Sequence, residues 1–302
     1  MDRVDLIVPA RNEAENLPAL FDALPWSRLR RVVVADNGST DDTAEIARQR
    51  GAEVVHEPMP GYGAACLAAI DWIASEQREA ASGDRERPGE PASAGGRSGE
   101  HASDHANHVS PGNHNRPGNP PLPPPPDAVA FLDADLSDDP AELPTLIDAV
   151  LEGGADLAIG TRTRRAEPGA LEFHQRFGNA LACRLIALSC GRRFRDLGPM
   201  RVIRWEALRR LEMRDRTWGW MVEMNYKAAS RGLTVVELDV PYRKRHAGQS
   251  KISGSLIGSW KAGTKILATI LDLHGRERRA RRESDRPAQN PSNQSSGSSG
   301  PR

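Results

Sequence analysis

Five short apolar runs, rich in β-branched and small residues, constrain the fold of this chain more than any other feature of its sequence. Each run is long enough for one buried strand, and the segments between them carry helix signals such as Gly51 at a helix end and Pro140 at a first helical turn. Strands that alternate with helices are typical of parallel sheets. The sequence therefore predicts an α/β fold with a mostly parallel central sheet flanked by helices, with strands at residues 4–8, 31–35, 53–55, 128–132 and 157–159.

Two segments of low apolar content interrupt this pattern. Residues 76–127 are rich in Gly, Pro, Ser, Asp, His and Arg and end in four prolines. Because such a composition cannot offset the entropy lost on ordering, we predict a disordered insertion in a surface loop. Its irregularly spaced histidines are read as bystanders rather than as a metal site. Residues 276–302 are first basic and then polar, and they predict a disordered tail after one domain at residues 1–275.

The composition excludes few classes of protein, but it limits the partners and the cellular location to be expected. Lys+Arg and Asp+Glu both number 41, so the net charge is zero and we expect no nucleic-acid partner. The three cysteines have no CxxC spacing, which predicts reduced thiols. The N-terminus lacks the pattern of a signal peptide, and the most apolar stretch, residues 256–273, carries Lys261, Lys265 and Asp272. We therefore expect a cytoplasmic protein without a membrane-spanning helix.

Polar residues follow the first two predicted strands. The first strand leads into VPARNE at residues 8–13, and the second leads into DNGSTD at residues 36–41. In open α/β sheets ligands bind where strands end, and a carboxylate such as Asp36 can accept hydrogen bonds from a nucleobase or a ribose hydroxyl there. The alternative is that Asp36 and Asp41 only cap a turn and a helix, and the residues alone leave both interpretations open.

The triplet Asp133-Ala134-Asp135, directly after the strand at residues 128–132, is a sharper signal. Two carboxylates one residue apart can hold a divalent cation, because hard cations prefer carboxylate and phosphate oxygens. A metal ion also makes a nucleoside diphosphate a better leaving group by neutralising its charge. The alternative is an acidic turn that only solvates its loop.

Five motifs together resemble the family 2 glycosyltransferases, and most closely their dolichol-phosphate mannosyltransferase and glucosyltransferase-like branch. These motifs are VPARNE at 8–13, DNGSTD at 36–41, DAD at 133–135, GTR at 160–162 and RHAGQSK at 245–251. The resemblance extends over about residues 4–273 without the insertion. It implies a GT-A nucleotide-sandwich fold, a UDP- or GDP-linked sugar donor, inverting transfer to an acceptor, and Mg²⁺ or Mn²⁺ as cofactor.

The resemblance also implies a role for each matched residue. The residues that would contact the donor or its phosphates are Pro9, Arg11, Glu13, Asp36, Asp133, Ala134, Arg162, Arg245, Ser250 and Lys251. Asp133 and Asp135 would bind the metal ion, with Asp135 as its chief ligand. Ser137 would be a weaker third ligand, because it stands where close relatives often have a glutamine. Residues 196–201 depart from a Ser-Gly-Phe-Arg-like motif, so the identity of the sugar does not follow from the resemblance.

Two kinds of acceptor would need different catalytic groups. A hydroxyl acceptor calls for a carboxylate base, for which Asp196 and Glu223 are the candidates. A phosphate acceptor is already an anion and calls for cations instead. The arginines at 162, 164 and 165, with Arg176 at a helix start, favour a polyprenyl or dolichyl phosphate unless they are only solvated. The predicted catalytic set is Asp135, Asp196, Arg162 and Lys251.

The C-terminal part of the domain suggests a membrane surface. Residues 256–273 predict a helix with an apolar face, and a basic run follows at residues 276–282. Such a pair can lie on an anionic bilayer, here peripherally on the inner face of the cytoplasmic membrane. The helix can equally pack on the domain or on another subunit, and the oligomeric state stays open.

Two other functions are weighed against sugar transfer. A sugar-nucleotide pyrophosphorylase usually has a Gly-rich phosphate loop after its first strand, and residues 9–13 contain no glycine. A non-catalytic nucleotide-sugar-binding protein would not need the DAD triplet or Lys251, although the sequence does not exclude it.

Overall fold

The computed structural model describes residues 3–82, 124–171, 173–247, 268–270 and 272–275. Most of the predicted insertion, the predicted tail, Ser250, Lys251 and most of the helix predicted at residues 256–273 lie outside the described residues.

A seven-stranded sheet forms the centre of the molecule. Its strands are β1 (Val4–Ala10), β2 (Arg31–Asp36), β3 (Glu53–His56), β4 (Ala128–Phe131), β5 (Leu157–Thr161), β6 (Arg201–Arg204) and β7 (Val235–Asp239). Their order across the sheet is β3-β2-β1-β4-β6-β5-β7, and only β6 runs antiparallel to its neighbours. The predicted α/β class and the mostly parallel sheet are confirmed. β6 and β7 were not predicted.

Helices cover both faces of the sheet. They are α1 (Leu17–Ala23), α2 (Thr43–Gln49), α3 (Tyr62–Ser82), α4 (Leu143–Leu151), α5 (Phe173–Cys190), α6 (Trp205–Leu211) and α7 (Trp220–Ser230). Side chains alternate between the two faces of a strand, so β1 sends Ile7 into one core cluster and Leu6 and Val8 into the other. The first cluster packs under α3, α5, α6 and α7, and the second packs under α1, α2 and α4. Both faces of the sheet are therefore buried.

Helix α3 corrects the predicted start of the insertion. The sequence placed this start at residue 76, but α3 continues to Ser82. Residues 76–82 read EQREAAS, and Glu, Gln, Arg and Ala have high helix propensity even where no apolar residue is present. Glu76 also pairs with Arg31 of β2 at 2.6 Å, which ties this part of α3 to the sheet.

Three further predictions concern thiols and membrane contacts. Cys66, Cys183 and Cys190 are free thiols, as predicted. Within the described ranges no helix is both long and apolar enough to cross a bilayer. Of the helix predicted at 256–273, the described end packs on the domain, because Ile270 and Leu273 are buried in the first core cluster.

Candidate functional site

A pocket of about 370 Å³ lies at the carboxyl ends of β1, β2 and β4. It brings together most of the residues that the sequence assigned to donor binding, namely Pro9, Arg11, Glu13, Asp133, Ala134, Asp135, Arg162 and Arg245. These residues come from four separate segments of the chain. The pocket also has lining residues to which the sequence gave no individual role, namely Ala10, Asn37, Gly61, Tyr62, Ala65, Gln175, Pro199, Trp218, Met221 and Tyr242.

The loops after β1 and β2 are joined by side-chain hydrogen bonds. The Asn12 carboxamide oxygen accepts from the Thr40 backbone N–H at 2.8 Å, and the Asn12 N–H donates to Ser39 Oγ at 3.0 Å. Asn12 itself adopts the left-handed conformation, with φ of 52°. Because Asn tolerates this conformation better than most residues, the loop turns sharply here and carries Glu13 towards the pocket.

Asp36 occupies a different place from the one predicted. It is buried and does not line the pocket: Oδ1 accepts from the Ser39 N–H at 3.1 Å, and Oδ2 lies 3.1 Å from His56 Nδ1. Its neighbour Asn37 lines the pocket instead and accepts from the Gly61 N–H at 2.8 Å. Successive side chains of an extended strand point in opposite directions. Asp36 therefore caps the turn, whereas Asn37, the next residue, faces the pocket.

Asp133 and Asp135 form the acidic part of the pocket. Asp133 Oδ1 accepts from the Tyr62 hydroxyl at 3.1 Å, and Asp135 Oδ1 accepts from the Ser137 N–H at 3.0 Å. Burial, and next to it the negative charge of Asp135, raise the pKa of Asp133 to about 7. A cation beside the two carboxylates would favour the ionised form of Asp133 and so lower this pKa.

This pair fits a divalent cation that is completed by its substrate. Within the described part of the chain, no three His, Cys, Asp or Glu side chains are arranged to hold a metal ion. Mg²⁺ is commonly held by one or two carboxylates together with substrate phosphates, so two carboxylates beside an open pocket suffice. Ser137 is not placed as the third ligand that the sequence predicted, because it is buried and does not line the pocket.

Arg245 links the acidic pair to the loop after β1. Its guanidinium forms a salt bridge with Glu13, and Nη1 lies 3.3 Å from Asp135 Oδ2. The side chain is 20% exposed, so these contacts form at the pocket wall rather than in the core. A cationic group thus stands beside the carboxylates at the place where a phosphate-bearing ligand would enter.

Arg162 is held by a carboxylate that the sequence had assigned another role. Asp196 accepts from the Arg162 backbone N–H, Nε and Nη2, each at 2.8 Å. Burial alone would raise the pKa of Asp196, but these hydrogen bonds and the charge of Arg162 outweigh burial and lower it. The Arg162 guanidinium also lies over the ring of Tyr242, 5.1 Å from its centroid. Asp196 and Tyr242 thus fix the direction in which Arg162 faces the pocket.

The two candidate bases are therefore corrected. Asp196 is 1% exposed, does not line the pocket and has both oxygens bonded to Arg162. Glu223 is also buried away from the pocket, where it pairs with Lys227 at 2.7 Å and accepts from the backbone N–H groups of Arg214 and Asp215. Neither carboxylate is placed to take a proton from an acceptor in the pocket.

The predicted arginine cluster is also corrected. A turn at residues 163–165 directs Arg164 to Asp239 and Arg165 to Glu142, each at 3.3 Å. Arg176 is exposed on α5 and does not line the pocket. Of the four arginines only Arg162 reaches the pocket, because sequence proximity does not fix side-chain direction in a turn.

An aromatic wall closes the side of the pocket next to Asp133. Trp218, which is 47% exposed, stacks on Tyr62 with ring centroids 6.1 Å apart and planes at 27°. The loop that carries Trp218 lies directly on the start of α3, where the N–H groups of Gly63 and Ala64 donate to the carbonyls of Thr217 and Arg216. The sequence gave no signal for this contact.

Gly63 is expected to be intolerant of any side chain. A Cβ at this position would overlap the backbone carbonyl oxygen of Asp215. Because that oxygen belongs to the main chain, it cannot move away without displacing the loop. We expect Gly63→Ala to lower the free energy of unfolding by about 1–3 kcal/mol, measured by urea denaturation. Gly178→Ala on α5 is the control, since a Cβ there meets nothing within 4 Å. Equal stability of the two variants would contradict the close approach.

Comparison with known proteins identifies relatives over most of the chain. The sequence profile described as glycosyl transferase family 2 matches residues 5–76. A glycosyltransferase of Mycobacterium tuberculosis is 35% identical over 260 residues, which cover 85% of this chain and 93% of the relative. An undecaprenyl-phosphate mannosyltransferase of Micrococcus luteus is 27% identical over 278 residues, covering 85% and 90%. A polyprenol monophosphomannose synthase of Mycolicibacterium smegmatis is 26% identical over 272 residues, covering 84% and 83%.

Solved structures share the fold at lower identity. Glucosyl-3-phosphoglycerate synthase from Mycobacterium tuberculosis, in complex with Mn²⁺, UDP and glucosyl-3-phosphoglycerate, superposes with a TM-score of 0.57 at 17% identity. The match covers 91% of this chain and 80% of that chain. The predicted GT-A nucleotide-sandwich fold is thereby confirmed.

Proposed function

Because the chain belongs to glycosyl transferase family 2, we propose that it is an inverting hexosyltransferase that uses a UDP- or GDP-linked sugar and a polyprenyl or dolichyl phosphate acceptor. The observation that carries this proposal is the convergence of the loop after β1, the acidic pair Asp133 and Asp135, and Arg162 in one pocket. That the chain is a glycosyltransferase follows from its relatives. The donor, the acceptor and the residue roles are the proposal.

Each wall of the pocket suits one part of the donor. Pro9, Arg11 and Asn37 line the end formed by β1 and β2, where nucleosides bind in open α/β sheets. Asp133 and Asp135 would hold Mg²⁺ or Mn²⁺, and the bound ion would neutralise charge on the departing diphosphate. Support for this metal comes from the carboxylate pair beside the open pocket. Arg245, beside Asp135, would contact a donor phosphate.

The charges of the pocket favour a phosphate acceptor over a hydroxyl acceptor. Among the residues that line it, the carboxylates are Glu13, Asp133 and Asp135. Glu13 pairs with Arg245, and the other two are assigned to the metal, so no lining carboxylate is left as a base. A phosphate monoester needs no base because it is already anionic at neutral pH. It needs a positioned cation for in-line attack, and Arg162 is fixed for that role by Asp196.

The relatives support the same acceptor. The names of the Micrococcus luteus and Mycolicibacterium smegmatis proteins specify undecaprenyl phosphate and a polyprenol monophosphomannose product. The neighbour of the same fold acts on phosphoglycerate, which is also a phosphorylated molecule, but its 17% identity bears on the fold alone.

Transfer of labelled sugar to a lipid phosphate tests the proposal. The protein is incubated with Mn²⁺, radiolabelled UDP-glucose or GDP-mannose, and undecaprenyl phosphate in detergent. We expect label to enter the organic phase with one of these donors, and undecaprenol, which lacks the phosphate, should accept none. Transfer to undecaprenol, or to phosphoglycerate in the aqueous phase with no lipid product, would contradict the proposed acceptor.

A further inference from the structure

Helix α5 exposes apolar side chains that soluble proteins normally bury. Phe177 is 62% exposed and Leu188 is 76% exposed, and these are the two most exposed large apolar side chains in the described part of the chain. The opposite face of α5 packs Ala182, Cys183 and Ile186 into the core. Large apolar side chains grouped on an exposed helix face typically mark an interaction site. Among the described segments, none covers the outer face of α5.

The exposed residues form one continuous surface. At 3.6 residues per turn, Phe177, Ala180, Leu181, Arg184 and Leu188 fall within about a third of the helix circumference. Of these, only Leu181 is partly buried. We call this surface the outer face of α5. It extends about 16 Å along the helix from Phe177 to Leu188, at 1.5 Å per residue.

The charged residues of α5 are both positive. Residues 173–190 contain no Asp or Glu. Arg176 and Arg184 on the helix, and Arg193 just after it, are exposed, and none of them forms a salt bridge within the described residues. By contrast, the exposed arginines of the turn after β5 are paired with carboxylates. Apolar side chains between unpaired arginines are the composition of helices that lie on anionic bilayers.

We propose that the outer face of α5 docks the enzyme on an anionic lipid surface. A second copy of the chain fits this face less well, because a two-fold interface would bring the same arginines together with no acidic residue on the helix to pair with them. A bilayer with anionic headgroups satisfies both features: Phe177, Leu181 and Leu188 enter the boundary between headgroups and acyl chains, and the arginines contact phosphates.

The position of α5 relates this surface to the pocket. Gln175 lines the pocket and precedes Phe177 by two residues, so the N-terminal end of the docking face lies at the pocket. A lipid phosphate in the bilayer would then approach Arg162 without leaving the membrane. This step rests on the proposed lipid-phosphate acceptor, whereas the binding of α5 to lipid does not require catalysis.

Binding to vesicles tests the docking face without any substrate. The full chain is mixed with vesicles of phosphatidylcholine alone or of phosphatidylcholine with phosphatidylglycerol, and bound protein is measured by flotation. We expect the wild type to bind the anionic vesicles. The double variant Phe177→Ser with Leu188→Ser should bind them at least about tenfold more weakly. Arg184→Gln with Arg193→Gln should weaken it by roughly thirtyfold at low salt, since each basic residue contributes about 1 kcal/mol near anionic lipid.

Two control variants and a soluble assay separate the outcomes. Arg209→Gln with Arg210→Gln removes two exposed arginines of α6, and Trp26→Ser removes an exposed apolar group on the other side of the sheet. Both should bind vesicles like the wild type. Three results would overturn the proposal that α5 docks on lipid. The first is a Phe177/Leu188 variant that binds vesicles as well as the wild type does, and the second is a wild type that does not bind them at all. The third is a wild-type dimer that this variant converts to a monomer. Sugar transfer to a short-chain, water-soluble prenyl phosphate should be unaffected by this variant, so failure of transfer in the wild type itself would count against the proposed function instead.

Discussion

Replacing Asp135 with alanine is expected to reduce sugar transfer by at least about a thousandfold, because a metal ion at a leaving diphosphate supplies several kcal/mol of charge stabilisation. Asp135 lines the pocket and its Oδ1 also accepts from the Ser137 N–H, which is a hydrogen bond of a partly exposed turn. Its loss should lower the free energy of unfolding by only about 1 kcal/mol. Turnover with a saturating donor and thermal unfolding of the same preparation measure the two effects.

Asp139→Ala is the matched control for this variant. Asp139 is four residues further along the same loop, pairs with Arg243 at 2.8 Å and does not line the pocket. Its removal should change turnover by no more than about threefold, as is usual for substitutions outside a site. Chelation of divalent ions should bring the wild type down to the level of the Asp135 variant. An Asp135→Ala protein that remains active, or a wild type that is indifferent to chelation, would remove the metal from the mechanism.

The parts of the fold that the sequence indicated are those with local signals. Strands such as β1 and β2 are apolar runs that the parallel sheet buries on both faces, and their composition alone distinguishes them. β6 is only four residues long, begins and ends with arginine, and lies antiparallel between β4 and β5. Its place depends on pairing with distant segments, which leaves no periodic pattern in its own sequence.

The same distinction applies to the site. Motifs at strand ends could be assigned to one pocket, since parallel neighbours end at the same edge of the sheet, and Asp133 and Arg11 do meet there. Side-chain direction could not be assigned, which is why Asp36 and Arg176 were expected at the pocket although neither lines it. Trp218 reaches the site through a loop that packs on α3, more than 150 residues earlier in the chain, and a lone tryptophan gives no such signal.

Asp196→Ala is expected to affect both stability and catalysis. It would leave the Arg162 guanidinium, whose side chain is only 15% exposed, without its carboxylate partner. Removing one partner of a buried ion pair costs about 3–5 kcal/mol of unfolding free energy, so we expect a loss of that size near neutral pH. The pKa of Asp196 is lowered in the folded protein, so this stabilisation exists above the unfolded pKa of about 4 and disappears as pH falls through the lower, folded value. Denaturation at about pH 7 and about pH 3 should therefore show a smaller difference between wild type and variant in acid.

Asp196→Asn separates a positioning role from the role of a base. The amide keeps the size of the side chain and can still accept one hydrogen bond from Arg162, but it can neither carry a charge nor take a proton. If Asp196 positions Arg162, the KM for the lipid phosphate should rise by about tenfold or more, as expected when a charged hydrogen bond is weakened. The pH profile of kcat should keep its shape, because no titrating base has been removed. The opposite result would be a large fall in kcat with an unchanged KM, and loss of the limb of the pH profile that reports an essential base. That result would indicate that Asp196 is the base for a hydroxyl acceptor.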